Sequence, residues 1–183
     1  MQEVKGMTAL KRLSVKCDYE MDGYPDLPFQ LEELAIFYPC KSHLYNVQCM
    51  PGLRSLLVED YLQDGDVAFP RPMHGGLLWL SVALNVDHRA NLRSLLSAHA
   101  QSLQELQIYC GVNDGQEKWY FPDLPELLGT CGFQALRRLV LVHIEDESPC
   151  EEVDACLLQR RAIRKLLPPS VDVICKGCPG SVF

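Results

Sequence analysis

The stretch Leu103-Gln-Glu-Leu106-Gln-Ile108 has the pattern Leu-x-x-Leu-x-apolar. Five further copies of this pattern begin at Leu10, Leu31, Leu53, Leu77 and Leu136, and a degenerate seventh copy is Pro168-Pro-Ser-Val171-Asp-Val173. Because side chains alternate between the two faces of an extended strand, the fourth and sixth residues of each copy point to the same side. Each copy therefore predicts a short strand with one apolar face.

A single strand of this kind cannot bury its apolar face alone. Stacking successive copies side by side gives a parallel sheet, and the segment that returns from one strand to the next covers the apolar face. The intervals between copies lengthen toward the C terminus but always leave room for a strand and a return. We expect an α/β architecture, a curved solenoid of about 6–7 repeats in sequence order.

The fourth copy extends to Leu77-Leu-Trp-Leu80-Ser-Val82-Ala-Leu-Asn85, which resembles the leucine-rich repeat consensus. The resemblance implies a leucine-rich repeat domain over residues 1–176, followed by a flexible tail at 177–183. Helical periodicity in the longer returns predicts helices at about 88–101, 124–131 and 150–167, on the convex side of the C-terminal repeats only. Residues 1–9 offer little that could cap a solenoid end, so we expect the chain to be a fragment or the C-terminal part of a longer protein.

The amino-acid composition disfavours two classes of binding partner. The net charge is −7 and the isoelectric point is near 5.2, which disfavours binding to nucleic acid or to an anionic membrane surface. The N-terminal residues lack the apolar core of a secretory signal. We expect a cytoplasmic or nuclear protein.

Nine cysteines in a chain without an export signal indicate reduced, small apolar side chains rather than a disulfide framework. Cys175-Lys-Gly-Cys178 is a lone C-x-x-C, and zinc would need further ligands. Only Cys150 and Cys156 are at all close in sequence. We therefore predict neither a metal site nor a cofactor.

The sequence contains no phosphate-binding loop, no H-E-x-x-H and no G-x-S-x-G, so we predict no catalytic residues and no enzyme activity. The concave face is the better candidate, because aromatic residues and arginine at the centre of a patch are typical of protein interfaces. The predicted partner-binding residues are Phe37, Leu57, Trp79, Tyr109, Arg138 and Val140. Among them, Trp79, Tyr109 and Arg138 are expected to form an aromatic–arginine centre. The alternative is that some of them pack against a loop of this chain.

The repeats with longer C-terminal returns resemble those of F-box/leucine-rich-repeat proteins, and the segment from Cys156 to Cys175 is similar to the end of arthropod members. In that family the repeats capture the substrate of a ubiquitin ligase, and a separate F-box docks on a Skp1-type adaptor. This sequence contains no F-box, so only the substrate-recognition role is implied. The alternatives are a regulatory or ligand-sensing repeat domain, as in innate-immune receptors or ribonuclease inhibitor, and an enzyme that uses the cysteine pair.

Overall fold

The strands predicted from the repeated pattern form one parallel sheet. The computed structural model describes residues 9–17, 27–59, 67–72, 75–111, 120–143 and 152–178. Within these ranges the sheet has seven strands in sequence order. They are β1 Arg12–Lys16, β2 Glu33–Phe37, β3 Ser55–Glu59, β4 Trp79–Ala83, β5 Glu105–Tyr109, β6 Arg138–Val142 and β7 Asp172–Cys175. The predicted α/β class, strand direction and strand order are confirmed.

The strands pair in a register that aligns equivalent positions of the copies. The fourth-position residues that pair in succession are Leu13, Leu34, Leu56, Leu80, Leu106, Leu139 and Val173. A main-chain contact also recurs at the starts of β2 to β6. The carbonyl of Arg54 accepts the N–H groups of Leu78 and Trp79 at 2.8 and 3.1 Å, and the carbonyl of Leu78 accepts those of Gln104 and Glu105 at 2.9 and 3.1 Å.

The register of the seventh copy differs from the prediction. The sequence pattern placed Val171 at the fourth position, whereas the structure pairs Leu139 with Val173. Both valines are buried. A shift of two residues keeps the same side chains on the same face, so apolar patterning alone does not distinguish the two registers.

Four α-helices connect strands in the described part of the chain. They are α1 Lys41–Gln48, α2 Arg89–His99, which follows a 3₁₀ turn at Val86–His88, α3 Leu124–Thr130 and α4 Val153–Leu166. Helices α2 to α4 confirm three predicted helices, although residues 150 and 151 of the predicted range lie outside the described residues.

Helix α1 contradicts the prediction that helices occur only in the C-terminal repeats. It begins after Cys40, whose N–H donates to Nδ1 of His43 at 3.3 Å. This contact resembles a capping box, but the Ser/Thr and Glu/Gln that normally signal one are replaced by cysteine and histidine. Leu44 and Val47 then face the core, one turn apart. The sequence therefore contained a signal for the start of a helix, with cysteine and histidine in place of the usual capping residues.

The core lies between the sheet and the helices. Leu34 is 2% exposed, and Leu56, Leu80, Leu106 and Leu139 are fully buried, as predicted. They belong to one continuous apolar cluster with helix residues from α1 to α4. Among the described residues, no helix combines the length and the apolar character that crossing a membrane requires.

Candidate functional site

The sheet presents a second face, formed by the third, fifth and seventh residues of the copies, which we call the outer face. The helices do not pack there, since Leu95 of α2, Leu127 of α3 and Ile163 of α4 share one buried cluster with Leu106 on the opposite side. All the predicted partner-binding residues lie on the outer face, at the strand positions expected for them.

The third-position row of the outer face contains a linked set of polar side chains. Trp79, Glu105 and Arg138 pair across β4, β5 and β6. The indole Nε1 of Trp79 donates to Glu105 Oε1 at 3.3 Å, and Glu105 Oε2 lies 3.7 Å from Nη1 of Arg138. Glu105 therefore joins the aromatic and the arginine that the sequence analysis placed together. Tyr109 lies four residues along β5, roughly 13 Å from this row, so it is not part of the set.

Leu57 and Trp79 line a shallow groove on the outer face, together with Ala35. Both side chains are half-buried. At the edge of the groove Arg12 Nη2 and Glu33 Oε1 form an ion pair at 3.1 Å. The groove is thus mainly apolar at its floor, and the charges beside it already have partners within the chain.

Phe37 lies in the seventh-position row, away from this groove. It pairs with Lys16 across β1 and β2 and is half-buried. Lys16 Nζ lies 5.2 Å from the ring centroid of the neighbouring Tyr38, a cation–π distance. Phe37 therefore flanks a local aromatic–lysine contact and does not belong to the Trp79 row.

The outer face is less exposed near β6 than the sequence analysis assumed. Val140 is 8% exposed and Val142 is 1% exposed. Val140 pairs with Gln107 on β5 and with Ile174 on β7. These longer side chains cover the smaller valine from both sides. Ser81, in the same row of β4, is 1% exposed. The expected exposure of Val140 is wrong, and Leu57 and Trp79 remain the accessible apolar centre.

A cluster of cysteine and histidine side chains lies at the C-terminal end of the sheet, and we call it the C-terminal cluster. His143 follows β6, Cys156 lies in the first turn of α4, Cys175 ends β7, and Cys178 follows three residues later. The sulfurs of Cys156 and Cys178 are 3.6 Å apart, and Cys175 Sγ lies 3.8 Å from His143 Nδ1. The ligand atoms of His143, Cys156 and Cys175 all lie within 4.8 Å of one another.

The thiols in this cluster influence one another's ionisation. A hydrogen bond from Cys156 holds the pKa of the Cys175 thiol well below its ordinary value, against the effect of burial, and His143 acts in the same direction. The same contact with Cys175 raises the pKa of Cys156, and burial raises it further. The hydrogen bonds thus favour a thiolate at Cys175 and a neutral thiol at Cys156.

A second cysteine–histidine group, the N-terminal cluster, lies at the other end of the sheet. Nδ1 of His43 is 3.5 Å from Cys17 Sγ and 3.3 Å from Cys40 Sγ. Burial lowers the pKa of His43. Burial, with a smaller contribution from Cys40, raises the pKa of the Cys17 thiol to about 11. Burial therefore favours the neutral forms of His43 and Cys17.

Sequence reasoning did not find the C-terminal cluster. It identified the Cys175/Cys178 pair but sought the missing ligands among neighbours in sequence, of which Cys150 lies outside the described residues. The information that could have identified the cluster was the position of each residue relative to the helices and strands. Cys156 follows the start of the last helix, and His143 follows the strand that pairs with β7, so both come close to the C-x-x-C once the copies stack. Cys178 was assigned to the tail, yet it contacts Cys156.

Comparison with models of known protein families, with curated proteins and with solved structures finds no match to this chain. The functional interpretation therefore depends on the residues and geometry described above.

Proposed function

We propose that the chain is a leucine-rich repeat solenoid that binds a protein partner on its outer face. The observation that carries this proposal is the partly exposed Trp79, held in a defined orientation by its hydrogen bond to Glu105 and placed beside an apolar groove. A large aromatic side chain at the centre of a face, with an arginine nearby, is the residue pattern that dominates binding energy at protein interfaces. The aligned register and the recurring main-chain contacts support the repeat class.

The chemistry of the groove favours one kind of partner segment. Its floor is apolar at Leu57 and Trp79, while Arg12 pairs with Glu33 and Arg138 with Glu105. Because these charges are already balanced within the chain, the attraction comes mainly from apolar contact rather than net charge. The partner is therefore a protein segment that inserts an apolar side chain between Leu57 and Trp79 and keeps polar groups at its rim. We expect the affinity of the groove for this segment to depend only weakly on salt concentration.

The more specific role that we propose is substrate recognition for a ubiquitin ligase of the F-box type. This role follows from the sequence resemblance, and the docking on a Skp1-type adaptor would require an F-box encoded elsewhere in the same gene. A reading frame with an F-box upstream of Met1 would support it, whereas a nucleotide-binding domain there would favour the regulatory alternative. The proposal includes no catalytic role and no cofactor for binding.

The test compares Trp79→Ala with Leu158→Ala. Leu158 is an apolar residue of α4, 64% exposed and on the helical side of the sheet, so it is a matched surface control. Proteins captured by the wild-type chain are then purified and titrated against all three chains. We expect direct binding to weaken roughly 30-fold or more in Trp79→Ala, since removal of an interface anchor costs about 2 kcal/mol or more.

Thermal melting separates binding from folding in this test. Trp79→Ala keeps its stability within about 1 kcal/mol of the wild type if Trp79 acts at the surface. Unchanged affinity of the purified partner for a folded Trp79→Ala variant would overturn the proposal. Equal weakening by Leu158→Ala would also overturn it, because the contact would then not be specific to the outer face.

A further inference from the structure

We propose that His143, Cys156, Cys175 and Cys178 bind one zinc ion, which links α4 to the ends of β6 and β7. This inference does not depend on what the outer face binds. The four side chains come from α4, from β7 and from the residues that follow β6 and β7, and they meet because the last strands pair in sequence order.

Two distances in the C-terminal cluster agree with the edges of a zinc tetrahedron. With Zn–S bonds of about 2.3 Å and a Zn–N bond of about 2.0–2.1 Å, two sulfurs lie roughly 3.8 Å apart and a sulfur and a nitrogen roughly 3.6 Å apart. The Cys156 and Cys178 sulfurs are 3.6 Å apart, and Cys175 Sγ is 3.8 Å from His143 Nδ1. Cys175 also contacts Cys156 and Cys178. The ligand atoms of His143, Cys156 and Cys175 already lie within 4.8 Å of one another, and a movement of Cys178 Sγ, which lies 3.6 Å from Cys156 Sγ, would complete the tetrahedron.

The chemical type of the four ligand atoms determines which metal ion the cluster can bind. Three thiolates and one imidazole are a common ligand combination of structural zinc sites, whereas calcium and magnesium require oxygen ligands. Four protein ligands also complete the tetrahedron, so no position remains for water or substrate, and the ion has a structural role. Binding is not a redox step. Each thiol that coordinates gives up its proton to solvent, and the imidazole coordinates in its neutral form.

Arg160 joins the helix and the strand that carry two of the ligands. It lies one helical turn after Cys156 and is 3% exposed. Its Nε and Nη2 atoms donate to the carbonyl of Val173, two residues before Cys175, at 3.3 and 3.1 Å. Helix α4 and strand β7 are therefore held together by contacts of the chain itself, which brings Cys156 and Cys175 close to each other.

A disulfide explains the same group of residues less well. It would join two sulfurs, would leave the third thiol and the imidazole without a role, and would require an oxidant. The zinc site uses all four side chains. It also links α4 to the ends of β6 and β7 through one centre.

The test measures zinc in the purified chain after removal of any histidine tag, under a reductant that does not bind metal. We expect stoichiometric zinc in the wild type and in Cys49→Ser, a control at the exposed cysteine that directly follows α1. We expect Cys178→Ser and His143→Gln to lose it. Titration of metal-free protein with Zn²⁺ against a chromophoric chelator gives the affinity, and circular dichroism reports folding. Cys178 is half-buried outside the strands, so its variant decides the test if Cys175→Ser fails to fold.

Two results would overturn the proposal. The first is a folded, reduced wild type that neither contains zinc nor takes it up from solution. The second is equal zinc uptake by the wild type, Cys178→Ser and His143→Gln, because the ion would then lie elsewhere.

Discussion

The two ends of the sheet contain similar residues arranged for different purposes. In the N-terminal cluster, Nδ1 of His43 accepts the N–H of Cys40 and lies beside the sulfurs of Cys40 and Cys17. In the C-terminal cluster three sulfurs contact one another, and one of them lies 3.8 Å from His143 Nδ1. Contact between cysteine and histidine side chains is therefore not sufficient to make a metal site. The number of converging donors and the state of the imidazole nitrogen make the difference.

The difference follows from how each histidine is placed. His43 is the third residue of α1, and its nitrogen is engaged by the main chain at the start of that helix. His143 follows a strand, at the edge where β6 and β7 end. Its Nδ1 faces Cys175, so the imidazole and the thiols converge on one centre. We infer that the N-terminal cluster stabilises the start of a helix and that the C-terminal cluster binds an ion.

The largest expected effect comes from the core that connects the two ends. Leu106 lies in β5 and is fully buried. Leu106→Ala should lower the free energy of unfolding by about 2–5 kcal/mol. Urea melts followed by circular dichroism and by thiol reactivity at each end check this value. Because one continuous apolar core extends from the residues of β1 to Val173 of β7, we expect both ends of the sheet to unfold in one transition. A loss under about 1 kcal/mol, which is typical of a surface position, would contradict the register.

The second-largest expected effect is stabilisation by zinc, which requires the C-terminal cluster but not the N-terminal cluster. At a free zinc concentration 100 times the dissociation constant, we expect the free energy of unfolding to rise by about 2.7 kcal/mol, because the folded state alone contains the assembled site. The same gain is expected in Cys40→Ser, and none in Cys178→Ser. Denaturant melts of metal-free protein with and without zinc give the comparison. Equal stabilisation of Cys40→Ser and Cys178→Ser would show that the C-terminal cluster is not the binding site.

The smallest effect concerns His43. His43→Ala removes the acceptor for the Cys40 N–H, so we expect a loss of about 0.5–2 kcal/mol, as for other helix caps, with unchanged zinc content. Burial lowers the pKa of His43. Its contribution to stability is therefore fully present above the unfolded pKa of about 6.5 and is lost as the pH falls below it.

Melts of the wild type and His43→Ala across this pH range check the sign. The stability difference should be largest near neutral pH and should shrink in acid. A difference that grows in acid, or a loss of zinc in His43→Ala, would contradict the distinction between the two clusters.

The sequence predicted the strands and the core well because one local rule controls both. Residues such as Leu56 and Leu80 recur at the same position of each copy, and strand alternation then decides which face is buried. The seventh copy was misplaced by two residues because Val171 and Val173 lie on the same face. Helix α1 was missed because cysteine and histidine form its start.

The predicted sites depended on information that a local pattern does not contain. The alternation placed Val140 on the outer face, but its burial depends on the larger side chains of adjacent strands. Trp79 and Arg138 were predicted to act together, whereas the link through Glu105 required the strand register. The C-terminal cluster combines residues that are distant in sequence, so only the stacking of complete copies brings Cys156 to Cys178.

Zinc-edge X-ray absorption of the purified, tag-free protein tests directly whether the C-terminal cluster holds the ion. It reads the atoms bound to zinc. Three sulfurs at about 2.3 Å and one nitrogen at about 2.0–2.1 Å are the result that we predict. Coordination by oxygen and nitrogen alone, or an unchanged sulfur signal in Cys178→Ser, would contradict the site and with it the distinction between the two ends of the sheet.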